Sequence, residues 1–91
     1  MALSLDTHVR IPEEVVFRVL EAESVVLNLE SGIYFGLDDV GTRMWQLIDE
    51  LQSLRGVADA LAREYEAPRE QLDSDLIAFV EQLHAKGLVA V

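Results

Sequence analysis

Residues 25–41, VVLNLESGIYFGLDDVG, decide the fold of this chain. Two runs within this stretch show the period-two alternation of half-buried strands, separated by a turn at residues 30–32. The alternating apolar residues are Val25, Leu27 and Leu29 in the first run and Ile33, Phe35 and Leu37 in the second. Asp38 then stands where a helix N-cap belongs. A β-hairpin therefore leads directly into a helix, and the absence of catalytic residues in it indicates a binding surface.

The flanking segments extend this pattern to three strands and three helices. Upstream, residues 15–20 alternate in the same way, and a turn at residues 21–24 connects them to the hairpin. After Asp38 the apolar period becomes helical, and Ser53 and Pro68 are typical of the starts of two further helices. The predicted class is α+β: a three-stranded antiparallel sheet followed by three helices, in a winged helix-turn-helix arrangement.

The length and composition predict one small domain over residues 1–91. Ninety-one residues, 51% of them hydrophobic, suffice for one modest core but are few for the deep cleft that most enzymes need. Residues 1–14 are expected to form an N-terminal arm or a short strand. The apolar tail at residues 88–91 is expected to pack back onto the body.

The charge balance disfavours a nucleic-acid partner. Seventeen acidic and seven basic side chains give a formal net charge of −10, which repels a phosphate backbone unless the basic residues cluster. The basic residues are dispersed, so we expect no nucleic-acid partner.

The chain has no cysteine, which excludes disulfides and thiolate sites. No signal-like start or long apolar run is present, so we expect a cytoplasmic protein without a membrane partner.

Potential catalytic and metal-binding residues form no recognisable constellation. His8 and His84 are far apart in the sequence, and neither has a second ligand at a spacing typical of metal sites. No carboxylate pair or serine stands in a pattern typical of acid–base or nucleophilic catalysis. The glycines lack the spacing and the lysine of a phosphate-binding loop. The sequence thus predicts a protein that is not an enzyme and that holds no metal and no cofactor.

A longer motif resembles the PqqD-like family, the precursor-peptide recognition elements of ribosomal natural-product pathways. The pattern Gly-x-Tyr-x-x-Leu-(Asn/Asp)-x-x-Gly-x-x-x-Trp runs from Gly32 to Trp45. The resemblance covers roughly residues 15–89 and includes Phe79 and the stretch KGLV at residues 86–89. Within the family, the hairpin is most similar to that of the discrete leader-binding proteins of lasso-peptide biosynthesis.

The resemblance implies a non-catalytic domain, a monomer or weak dimer, that binds the leader segment of a ribosomally made precursor peptide. The domain would deliver the leader to a separate leader peptidase and then to a cyclase. The leader is expected to add as a strand to the third strand of the sheet and to lie against the third helix. The expected peptide-binding residues are Gly32, Ile33, Tyr34, Phe35, Gly36 and Leu37 on the strand, and Asp73, Leu76, Ile77, Val80 and His84 on the helix.

Several alternatives stay open at this stage. A PqqD-type peptide chaperone for a radical SAM enzyme is one alternative; that branch of the family typically differs just before the first helix, but the sequence separates it poorly from the lasso-type protein. A winged-helix DNA-binding regulator needs a basic recognition helix, whereas residues 63–75 hold five acidic residues against two arginines. Without the family, residues 33–35 could simply fill a strand, and Ile77 and Val80 could belong to the core.

Overall fold

The fold places one small sheet before three helices. A computed structural model describes residues 3–21 and 23–91; parts of the predicted arm and of the turn at residues 21–24 lie outside this range. The elements are the strands β1 (Val15–Leu20), β2 (Glu23–Asn28) and β3 (Tyr34–Leu37) and the helices α1 (Asp39–Leu51), α2 (Leu54–Glu64) and α3 (Arg69–Ala85). The strands form an antiparallel sheet in the order β1-β2-β3. The predicted fold class, α+β with a winged helix-turn-helix-like arrangement, is confirmed.

Side-chain caps begin the first two helices where the sequence predicts them. The Asp38 carboxylate accepts a hydrogen bond from the Gly41 N–H at 2.7 Å, and the Ser53 hydroxyl accepts one from the Gly56 N–H at 3.2 Å. Pro68 occupies the N-cap position of α3, one residue before its predicted place in the first turn, and offers no side-chain acceptor. These local signals fix the point where the hairpin ends and α1 begins.

The core lies between one face of the sheet and the three helices. Val26 at the centre of the sheet is fully buried, and Phe17 of β1 stacks on Trp45 of α1 with ring centroids 6.3 Å apart. The largest fully buried helical side chains are Ile48, Leu54, Leu61, Leu76 and Leu83. Burial stabilises the fold by roughly 1.5–3 kcal/mol for each side chain of this size. The hairpin thus packs on α1, and Phe35 of β3 also contacts Phe79 of α3.

The central strand turns its more polar face inward. Ser24 and Asn28 are buried on either side of Val26, whereas Val25 and Leu27 lie on the outer face and are only half-buried. Buried polar side chains need hydrogen-bond partners, and both of these residues have them within the described structure. The alternation predicted for β2 is therefore present, with the polar pair on the core side.

The described part of the N-terminal arm is ordered against the C-terminal tail. The Arg10 N–H donates to the Ala90 carbonyl at 2.8 Å, and the Ala90 N–H donates to the Arg10 carbonyl at 2.7 Å. Val9 and Leu88 beside this bridge are buried in the core. The tail therefore packs onto the body through backbone pairing with the arm.

A bidentate ion pair connects α1 to α2 at the surface. The Arg43 guanidinium donates two hydrogen bonds to the Glu64 carboxylate, both at 2.7 Å. These bonds lower the pKa of Glu64, against an opposing effect of desolvation, and raise the pKa of Arg43. The pair thus favours the charged form of both side chains.

We expect this pair to make the stability depend on pH. The pKa of Glu64 in the folded protein lies below its usual value of 4.5, so its contribution is complete above that pH and is lost as the pH falls through the folded pKa. Glu64→Gln should lower the free energy of unfolding slightly at about pH 7, and the difference from the wild type should shrink by about pH 3. Urea unfolding followed by circular dichroism measures both values. Equal differences at the two pH values would contradict this expectation.

Candidate peptide-binding site

The strand β3 is an open edge, because β2 is its neighbour on one side and no described strand lies on the other. The Asn28 N–H donates to the Ile33 carbonyl at 2.9 Å, and hydrogen-bonded pairs alternate along an antiparallel ladder. Phe35 therefore directs its backbone groups to β2. The backbone N–H and C=O of Tyr34 and Gly36 point to the open edge, where a further strand could pair with them.

The side chains of β3 divide between the two faces of the sheet. Leu37 is buried on the inner face and Phe35 is half-buried there. Tyr34 and Gly36 lie on the outer face, and 69% of Tyr34 is exposed. Ile33 is also exposed just before the strand. A peptide paired with this edge would thus meet the Phe35 ring on one side and the Tyr34 side chain on the other.

Phe79 of α3 and Lys86 at the C-cap of this helix both lie against the Phe35 ring of β3. The Phe35 and Phe79 ring centroids are 6.2 Å apart with the rings tilted by 34°, and the Lys86 Nζ lies 5.9 Å from the Phe35 ring centroid. Asp75 and Gln82 share this helix face, because positions four and seven residues apart lie above one another. We call the row formed by Asp75, Phe79, Gln82 and Lys86 the strand-side flank of α3.

Two of the helix residues predicted to contact the peptide belong to the core instead. Leu76 and Val80 are both 0% exposed, so they offer no atoms to a ligand in this structure. Phe79, which the helical pattern assigns to the deeper set, is half-buried and lies against Phe35. The rotation of α3 about its axis thus differs from the one predicted, and Phe79 instead of Val80 faces Phe35 of β3.

The remaining predicted helix residues lie away from the strand-side flank. The Asp73 carboxylate accepts a hydrogen bond from Arg69 at 2.9 Å, and Arg69 also donates to Asp59 of α2 at 2.8 Å. Both bonds raise the pKa of Arg69, the one to Asp73 more strongly. Ile77 stands roughly 160° around the helix from Phe79, at 3.6 residues per turn. His84, exposed, lies on the same side as Ile77.

The sequence reasoning missed Lys86 as a residue beside β3. Lys86 is seven residues after Phe79, and this spacing is the signal that could have identified the strand-side flank.

At the C-terminal end of β3 lies an open depression of about 530 Å³, lined by Glu23, Gly36, Leu37, Asp38 and Asp39. Its three carboxylates give that end of the edge a negative potential, which favours basic or neutral peptide segments.

The chain is similar to proteins named for binding PqqA. The family model described as Coenzyme PQQ synthesis protein D (PqqD) matches residues 23–89. A PqqA binding protein of Rhodopseudomonas palustris (strain HaA2) is 35% identical over 52 residues, which cover 57% of this chain and 51% of that protein. One of Xanthomonas campestris pv. campestris (strain B100) is 36% identical over 53 residues, covering 58% of each chain. The chain therefore spans about half the length of the curated relatives it matches.

Two solved structures share the fold over most of their length. One, described as TbiB1 in complex with the TbiA(beta) leader peptide, has a TM-score of 0.81 and 38% identity, with 88% of this chain and 93% of that chain covered. The other, described as lasso peptide synthetase B1 complexed with the leader peptide, has a TM-score of 0.82 and 27% identity, with 93% of this chain and 100% of that chain covered. The family inferred from the motif between Gly32 and Trp45 is confirmed, and the chain belongs to the PqqD family.

Proposed function

We propose that this protein binds the leader segment of a ribosomally made precursor peptide by strand addition to β3, without catalysing a reaction itself. The observation that carries the proposal is the open edge at Tyr34 and Gly36 beside the strand-side flank of α3. Two further facts support it. Both structural neighbours are described as complexes with leader peptides, and the curated relatives are named for binding PqqA.

Backbone pairing alone gives little affinity at this edge. Tyr34 and Gly36 each offer one N–H and one C=O, and each added bond contributes only about 1 kcal/mol net. Ordering a disordered peptide costs roughly 2–5 kcal/mol. The two quantities nearly cancel, so the backbone sets the register of the leader. The side chains in the groove between β3 and the strand-side flank of α3 must then supply the affinity and the selectivity.

The groove favours an apolar or aromatic anchor on the leader. The Phe35 ring on β3 and the Phe79 ring on α3 form its two apolar walls, and aromatic residues in such walls carry much of the binding energy of peptide interfaces. Lys86 and Asp75 on the strand-side flank carry opposite charges, which would orient a polar leader residue and affect the association rate more than the affinity. An apolar leader residue that points to the inner face is therefore the expected anchor.

The proposed partners beyond the leader are a separate leader peptidase and then a cyclase, in the cytoplasm. The neighbour described as lasso peptide synthetase B1 supports the lasso pathway. The relatives named PqqA binding protein favour the alternative, a peptide chaperone for a radical SAM enzyme. Among the described residues, no helix has the length and apolarity needed to cross a bilayer.

Fluorescence anisotropy with labelled leader peptides tests the proposal and separates the two pathways. We expect saturable binding of a lasso-type leader, with a PqqA-type peptide as the comparison. Strand addition adds a second expectation, because alternate residues of the leader would direct their N–H groups at β3. Two leaders are therefore compared, one with N-methylated backbone at the odd-numbered residues and one at the even-numbered residues. One of them should lose binding and the other should keep it. Equal effects of the two methylation patterns would exclude strand addition, and no saturable binding by either the lasso-type or the PqqA-type leader would exclude the function.

A further inference from the structure

We propose that Asn28 fixes the position of the two groove walls, the strand wall at Phe35 of β3 and the helix wall at Phe79 of α3, relative to each other and is therefore a positioning residue for leader binding. The inference rests on the proposed function and adds a residue to the site that does not touch the peptide. Asn28 is the last residue of β2, and only 7% of it is exposed. Its side chain lies between the turn that precedes β3 and Gly87, which follows the C-cap of α3.

One side chain joins both walls. The Asn28 Oδ1 accepts hydrogen bonds from the Glu30 N–H at 2.9 Å and the Ser31 N–H at 3.0 Å, in the turn that leads into β3. The Asn28 Nδ2 donates to the Gly87 carbonyl at 3.1 Å. Gly87 directly follows Lys86, whose ammonium lies over the Phe35 ring. The same amide thus holds the start of the strand wall and the end of the strand-side flank.

The chemistry requires an amide at this position. The partners are two N–H donors on one side and one carbonyl on the other, which matches the acceptor and donor ends of a carboxamide. Serine could still accept from the turn, as short hydroxyl side chains do, but its hydroxyl is too short to reach Gly87. Aspartate would set an oxygen against the Gly87 carbonyl. Both replacements keep the turn and remove the connection to α3.

A second buried polar connection on the same strand supplies the matched control. The hydroxyl of Ser24, which is 2% exposed, is hydrogen-bonded to that of Thr42 in α1. This bond also anchors β2 to a helix, but it does not involve α3. Ser24→Ala should therefore reduce stability by an amount similar to that of Asn28→Ser, because each change removes a buried hydrogen bond. It should leave the distance between β3 and α3 unchanged.

The first experiment needs no leader. Nuclear Overhauser contacts between the Phe35 and Phe79 rings are compared in the wild type, Asn28→Ser, Asn28→Asp and Ser24→Ala. We expect the contacts to persist in the wild type and in Ser24→Ala, to weaken in Asn28→Ser and to be weakest in Asn28→Asp. Unchanged contacts in both Asn28 variants would overturn the proposal, whatever the protein binds.

The second experiment measures leader affinity by anisotropy, with urea unfolding of each variant to correct for the folded fraction. Asn28→Ser should weaken binding about tenfold, Asn28→Asp more, and Ser24→Ala less than about twofold. Losses that follow stability alone, equal in Asn28→Ser and Ser24→Ala, would overturn the positioning role. A wild type that binds no leader would overturn the proposed function instead, and the ring contacts would still decide whether Asn28 holds the walls together.

Discussion

Replacing Gly36 by proline should remove most leader binding and leave the fold in place. Proline has no N–H, and its ring would occupy the side of β3 from which a peptide strand approaches. The bonds between β2 and β3 would survive, because Gly36 directs its backbone groups to the open edge, where proline is tolerated. We expect a loss of about tenfold to a hundredfold in affinity, measured by anisotropy with a labelled leader.

Gly36→Ala is the control for this variant. A Cβ at Gly36 would meet no atom within 4 Å, and alanine keeps the N–H at the edge. Its affinity for the leader should stay within about twofold of the wild type. Circular dichroism and thermal unfolding verify that both variants fold. A folded proline variant with wild-type affinity would exclude β3 as the strand that receives the leader.

Phe79→Ala should produce the second large loss of binding. Truncation removes the ring that faces Phe35 and leaves the groove without one of its two aromatic walls. Alanine substitution at such anchors costs about 2 kcal/mol or more, which corresponds to at least about thirtyfold in Kd. The backbone hydrogen bonds of the leader cannot compensate for this lost binding energy, because they only offset the free-energy cost of ordering the peptide. Titration of the labelled leader gives the affinity, and urea unfolding gives the stability of the variant.

Ile77→Ala is the matched control on the opposite side of α3. Ile77 and Phe79 are both half-buried apolar residues that pack against the core, so both truncations should lower the free energy of unfolding. Only the change at Phe79 should weaken leader binding. If Ile77→Ala alone weakened it, the peptide would lie along the flank first expected from the sequence, and the strand-side flank would be excluded as the binding wall.

The local parts of this fold could be predicted because short-range chemistry determines them. Period-two alternation marked the hairpin, and the carboxylate of Asp38 marked the start of α1. The rotation of α3 could not be predicted in the same way. Its buried residues are flanked on one side by Ile77 and on the other by Phe79, both apolar, so the helical period fits either orientation. Only the contact with Phe35 in β3 distinguishes the two flanks.

The inward face of β2 has the same kind of explanation. Alternation shows that Val25 and Val26 point to opposite sides, but it does not show which side meets the helices. The polar pair can be buried because Ser24 is hydrogen-bonded to Thr42, 18 residues away, and Asn28 is hydrogen-bonded to Gly87, 59 residues away. Such distant partners leave no periodic signal. The same distance in sequence explains why Asn28 was absent from the predicted site.

The open edge of β3 has a consequence for the handling of the protein. An unpaired strand can also pair with a second copy of the chain, and β1 at the other side of the described sheet is a second such edge. Contacts between β3 of one copy and β1 of the next would not close into a ring unless the rotation permits it, so they favour filaments. Mutual repulsion at a charge of −10 opposes this association. Colloidal stability should therefore fail near the isoelectric point of about 4.3, where that repulsion vanishes.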